Sequence, residues 1–70
     1  MMSTEFEIRF NGENRTVRST TVQALLEEFR LGGKKVAVEL NKEIISRDSY
    51  GSTPIKAGDQ IEIVSFVGGG

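Results

Sequence analysis

The spacing of apolar residues changes period twice along this chain. Phe6, Ile8 and Phe10 alternate with Glu7 and Arg9, which is the pattern of a strand with one buried face. Val22, Leu25, Leu26 and Phe29 then fall at i, i+3, i+4 and i+7, so all four lie on one side of a helix. Alternation returns at Val36, Val38 and Leu40 and again at the end, where Ile61, Ile63 and Ser65 share one side of an extended segment and Glu62, Val64 and Phe66 share the other. Strands around a single amphipathic helix can bury their apolar faces only by stacking that helix on one side of a sheet.

Punctuation between these segments sets the expected order. Strand one covers 5–10; Asn11-Gly12 tolerates positive φ and reverses the chain into Thr16-Val17-Arg18, with Glu13 and Asn14 lengthening the turn. Thr20 and Gln23 make a capping-box pair for a helix over 21–30, which stops on Gly32-Gly33. Asn41-Lys42 turns the third strand into Ile44-Ile45; residues 46–56, around Tyr50, Pro54 and Ile55, form a loop or one short helical turn, and Gly58-Asp59 is turn chemistry rather than a metal ligand. The order is ββαββ, a loop, then β. It predicts an α+β chain of the β-grasp (ubiquitin-like) roll, a mixed sheet of about five strands packed against one helix. The expected core is Phe6, Ile8, Val17, Val22, Leu25, Leu26, Phe29, Val36, Val38, Leu40, Ile61 and Ile63. Residues 1–67 form one domain and 68–70 a flexible C-terminal glycine tail.

Composition narrows the chemistry. With 70 residues and neither Cys nor His, the chain has no thiol nucleophile, no imidazole base and no zinc set, so self-sufficient catalysis is not expected. A net charge of −1 and a sequence pI near 5.3 supply no broad positive field for nucleic acid or anionic lipid. No run approaches the ~20 apolar residues of a membrane span, and the N-terminus lacks the marks of a secretion signal. The expected state is a cytoplasmic monomer that binds no cofactor.

Two features point to work done on the chain by others. Gly68-Gly69-Gly70 follows the last strand directly, without a polar spacer. Glycines lack Cβ and accept torsions closed to other residues, which suits threading into a narrow channel. Three extended residues reach only about 10 Å, so a partner that receives Gly70 must also touch the body, and the outer side of strand five, Glu62, Val64 and Phe66, is the candidate docking face. The competing role for Val64 and Phe66 is packing beneath loop 46–56. Lys34, Lys35 and Lys42 are expected as solvated charge, Arg47 and Asp48 as a mutual pair or an enzyme contact, and Tyr50 as a loop anchor.

Asn11-Gly12-Glu13, Leu25-Leu26, Val36-Ala37-Val38-Glu39-Leu40-Asn41, Glu43-Ile44-Ile45, Arg47, Gly58 through Val64 and Gly69-Gly70 together resemble the ThiS family, the sulfur carriers of thiamine thiazole biosynthesis. The resemblance runs from Glu5 onward. It departs at Gly68, where alanine is frequent, at Ser46, where proline is, and at Tyr50, where tryptophan is. The resemblance implies a carrier without catalytic residues, whose working group is the Gly70 carboxylate. An adenylating enzyme related to ubiquitin activators would use MgATP to make an acyl adenylate, a persulfide sulfur would displace AMP, and the resulting thiocarboxylate would supply thiazole synthase. Gly68 and Gly69 would thread into the partner. Three alternatives stay open: a small subunit of molybdopterin synthase, a ubiquitin-like modifier, and an interaction domain with an inert tail.

Overall fold

A computed structural model describes residues 4–65. The elements run β1 (Phe6–Phe10), β2 (Glu13–Val17), α1 (Val22–Glu28), β3 (Val36–Leu40), β4 (Glu43–Ile45), a short 3-10 helix (Arg47–Ser52) and β5 (Gln60–Ser65). The five strands make one sheet in the order β2-β1-β5-β3-β4. β5 lies parallel to β1 and antiparallel to β3, so the last strand joins two hairpins at the centre of a mixed sheet. This is the expected roll.

Both hairpins close through two-residue turns with positive φ at each position: Asn11 and Gly12 at 49° and 84°, Asn41 and Lys42 at 51° and 73°. Such turns match the right-handed twist of the flanking strands. β2 therefore begins earlier than expected. Glu13 and Asn14 pair with Phe10 and Arg9 as ladder residues instead of lengthening the turn.

The helix also departs from expectation at both ends. Its N-cap is Thr21, whose hydroxyl accepts the Ala24 amide at 3.1 Å, so Thr20 and Gln23 form no capping box. It ends before the two glycines, because Arg30 takes a left-handed φ of 61° and the Leu31 amide reaches back to the Leu26 carbonyl at 2.6 Å. Arg30 takes the role expected of glycine there.

One face of the sheet meets α1. Ile8, Val17, Val22, Leu25, Leu26, Val38, Ile61 and Ile63 are buried, joined by Tyr50 and Ile55 from the connection after β4. Phe6, Phe29, Val36 and Leu40, expected inside, are half-buried at the margin of this cluster. One seven-residue helix does not reach the sheet's rim. There Phe29 closes edge-on against Phe10, ring centres 4.6 Å apart, with the Arg15 guanidinium over its face. The segment after the 3-10 helix is tied to the start of α1 by Val22 N–H to Thr53 O and Ile55 N–H to Thr20 O. It therefore packs on the helix side and leaves Val64 uncovered.

Candidate functional site: the outer sheet face and the root of the tail

Strand pairing decides which side chains share the face away from α1. Directly opposed residues project to the same side. Since Val38, Ile61 and Ile63 are buried, Ala37, Glu39, Ile44, Glu62 and Val64 must be on the outer face. Two rows result: Ile44, Glu39 and Glu62 across β4, β3 and β5, then Ala37 and Val64 one step nearer the tail. Ile44 is 77% exposed and Val64 59%, the two large apolar residues most open to solvent among those described. Isolated exposed apolar residues are ordinary; Ile44 and Val64 share one face, which makes that face the candidate contact surface.

The strand that carries the tail is held on both edges. β3 pairs with β5 along its length, from Leu40 opposite Ile61 to Val36 opposite Ser65. On the other edge Asn11 substitutes for a neighbouring strand: its side-chain oxygen accepts the Ile63 amide at 2.8 Å and its amide nitrogen donates to the Ile63 carbonyl at 3.3 Å. The backbone of Ile63, seven residues before Gly70, is thereby fixed. At the far end of β5 the buried Asp59 carboxylate accepts the Lys56 amide at 2.8 Å and the Asn41 side-chain amide at 3.1 Å. Asn41 in turn accepts the Gln60 amide at 2.9 Å. Asp59 is therefore a turn lock, in keeping with its place after Gly58.

Of the expected site residues, Glu62 and Val64 are exposed side by side on the outer face. Phe66, Gly68, Gly69 and Gly70 lie outside the described residues. Ile44 and Glu39 are surface partners that the sequence pattern does not reveal. The cue available for Ile44 is the doublet Ile44-Ile45, since neighbours on a strand face opposite ways and only one can be buried. Asn11 reads from sequence as a turn residue alone, and no local cue marks its side chain as a brace. Lys34, Lys35 and Lys42 are solvent-exposed as expected. Arg47 makes no ion pair with Asp48 among the described residues; with Lys34, Gly33, Leu26 and Tyr50 it lines a cavity of about 200 Å³. Tyr50 is buried, its hydroxyl 3.5 Å from the Val36 carbonyl oxygen, so its ring anchors the loop but its polar end turns inward.

The sequence model of the ThiS family matches residues 8–70. The chain belongs to the ThiS family. Within it, the sulfur carrier protein ThiS of Bacillus subtilis is 50% identical over 50 residues, covering 71% of this chain and 76% of that one. A thiazole synthase of Paramagnetospirillum magneticum is 49% identical over 61 residues, which are 86% of this chain but 19% of that protein. The chain thus spans about a fifth of the length of this relative and of a second thiazole synthase, from Magnetococcus marinus. The crystal structure of a thiamine biosynthesis protein (ThiS) from Geobacter metallireducens superposes with a TM-score of 0.79 at 33% identity, covering 93% of this chain and all of the other. The ThiS fold is therefore the fold of this chain.

Proposed function

We propose that this ThiS-family chain is the sulfur carrier of thiazole formation, a co-substrate and not a catalyst, with the Gly70 carboxylate as its working group. The observation that carries the reading is the family match, which extends through Gly70, together with a braced strand leading to that residue. A carboxylate is a resonance-stabilised anion and a poor electrophile. Its oxygen must first attack the α-phosphorus of a partner's MgATP, releasing pyrophosphate and giving an acyl adenylate. A persulfide's terminal sulfur then displaces AMP, and a thiol cleaves the S–S bond to leave the thiocarboxylate. The chain's share is to present the acyl carbon and hold nothing else near it.

Geometry supports one docking face for both the adenylating enzyme and the sulfur acceptor. Five residues separate Ser65 from the end of Gly70 and reach at most ~18 Å. A partner whose reacting atoms meet Gly70 therefore comes within that distance of Ser65, and the exposed sheet near Val64 is the proposed surface for it to cover. Thiazole synthase is the proposed acceptor, because two relatives that carry a segment similar to this chain bear that name. Among the described residues no helix is long and apolar enough to cross a membrane, and the proposed setting is the cytoplasm, where ATP and persulfide donors meet.

The test is intact mass. Incubation with MgATP, the adenylating enzyme and a persulfide donor should raise the mass by the sulfur-for-oxygen difference. Appending one alanine after Gly70 displaces the carboxylate by ~3.3–3.6 Å, beyond the ~3–3.5 Å of a reactive approach, and should abolish loading while the melting temperature holds. Normal loading of the uncleaved, extended chain refutes the carboxylate mechanism. Attachment to a protein lysine instead of a sulfur shift would identify a modifier, and transfer of the sulfur only to molybdopterin synthase would move the chain to that branch.

A further inference from the structure

Glu39 and Glu62 are direct cross-strand partners on the outer face. Because Asn11 engages both backbone groups of Ile63, the backbone groups of Glu62 turn the other way, toward β3. The two glutamates are thus a hydrogen-bonded antiparallel pair, with Cα atoms about 5.5 Å apart and side chains side by side. Like charges set directly opposite each other destabilise a sheet. Nothing within the described chain relieves this pair: neither carboxylate has an ion-pair partner among the described residues. Arg9, the cation of β1 on the same face, donates instead to Asn14 at 3.3 Å. The pair sits between Ile44 on one side and the Ala37–Val64 row on the other. Among the described residues it is a pair of carboxylates without an ion-pair partner, flanked on the same face by the exposed apolar side chains of Ile44 and Val64.

We propose that Glu39 and Glu62 together receive one arginine side chain of thiazole synthase, and that this contact sets how the carrier is oriented when Gly70 is delivered. The inference rests on the docking face assigned above. A guanidinium carries five donors in a plane and bridges two carboxylates at this spacing, whereas an ammonium is a point charge that stays strongly hydrated. Its aliphatic stem would lie over Ile44 and Val64, adding apolar contact to the charge. Docking would then turn a repulsive pair into a bridged one, so the unfavourable cross-strand contact of the free carrier is relieved only in the complex. A charge clasp off the tail axis also excludes rotated encounters that apolar contact alone would tolerate.

The experiment compares binding of wild-type, Glu39→Gln/Glu62→Gln and Val64→Asp chains to thiazole synthase from the same organism, at low and moderate salt. The isosteric double variant should bind at least tenfold more weakly at low salt, lose most of the salt dependence, and melt no lower than wild type, since repulsion is removed. Unchanged affinity and salt dependence in that variant, with binding still lost in Val64→Asp, overturns the clasp and leaves the docking face standing. If wild type binds and neither variant matters, the docking face falls as well. Failure of wild type to bind removes both. A zero-length carboxylate–amine cross-link from either glutamate to the enzyme would reveal a lysine and overturn the arginine assignment. Self-association of the carrier that the double variant abolishes would put a second copy on this face, and that result too would overturn the assignment.

Discussion

The two faces of this sheet are written by alternate residues of the same strands, yet they answer to different demands. On β5, Ile61 and Ile63 are buried against the helix while Glu62 and Val64 stand in solvent. The inner face carries the apolar area that keeps a small domain folded. The outer face carries features that do nothing for stability: a like-charge pair and two open apolar side chains. A chain of this length can separate folding from recognition without a second domain, because a strand changes sides at every residue.

That division can be broken most forcefully from within. Leu25 is fully buried, and Leu25→Ala should cost ~2–5 kcal/mol, a large part of the ~5–15 kcal/mol typical of whole domains. Urea unfolding would show it as a lower midpoint, and an unchanged midpoint would mean the helix does not cover the sheet as described. An intermediate effect is expected at Asn11, which belongs to neither face. Asn11→Gly keeps the positive φ and removes only the amide, so two hydrogen bonds worth ~0.5–1.5 kcal/mol each are lost. Amide exchange at Ile63 should accelerate beyond what the global loss explains. The smallest effect belongs to the outer face: Ile44→Ser, at a residue 77% exposed, should stay within ~0.5 kcal/mol of wild type by the same unfolding assay. A larger loss would show that Ile44 supports the fold and would blur the contrast.

Strands with an apolar inner face are legible from their period, and the one whose inner face is polar is not. β2 reads Glu13-Asn14-Arg15-Thr16-Val17, with Val17 alone buried, so its first residues carry no hydrophobic signal and only the ladder to β1 reveals them. Thr20 and Thr21 are chemically the same cap; the extended backbone at Thr21 selects it. Tyr50 and Ile55 reach the core from a segment without period, each seated by hydrogen bonds that depend on the finished fold. At the site, the parity of β5 is enough to place Glu62 and Val64 outside, since that needs only the strand's own alternation. Glu39 and Ile44 require the register of three strands, which no local pattern contains. The fold is thus more legible than the surface it displays.

The place of β5 has a consequence for how the protein is made. It is the latest strand in the sequence yet stands at the centre of the sheet, between β1 and β3. A ribosome emits both hairpins and the helix before the strand that unites them, so closure waits for residues 60–65 and for contacts spanning most of the chain. Folds dominated by such distant pairings form slowly. The strand that completes the fold is also the one from which the glycines depart. An unfinished copy has no fixed root from which to offer its end, so under the proposed function an adenylating enzyme that docks on the outer face would be spared from charging a chain that has not folded.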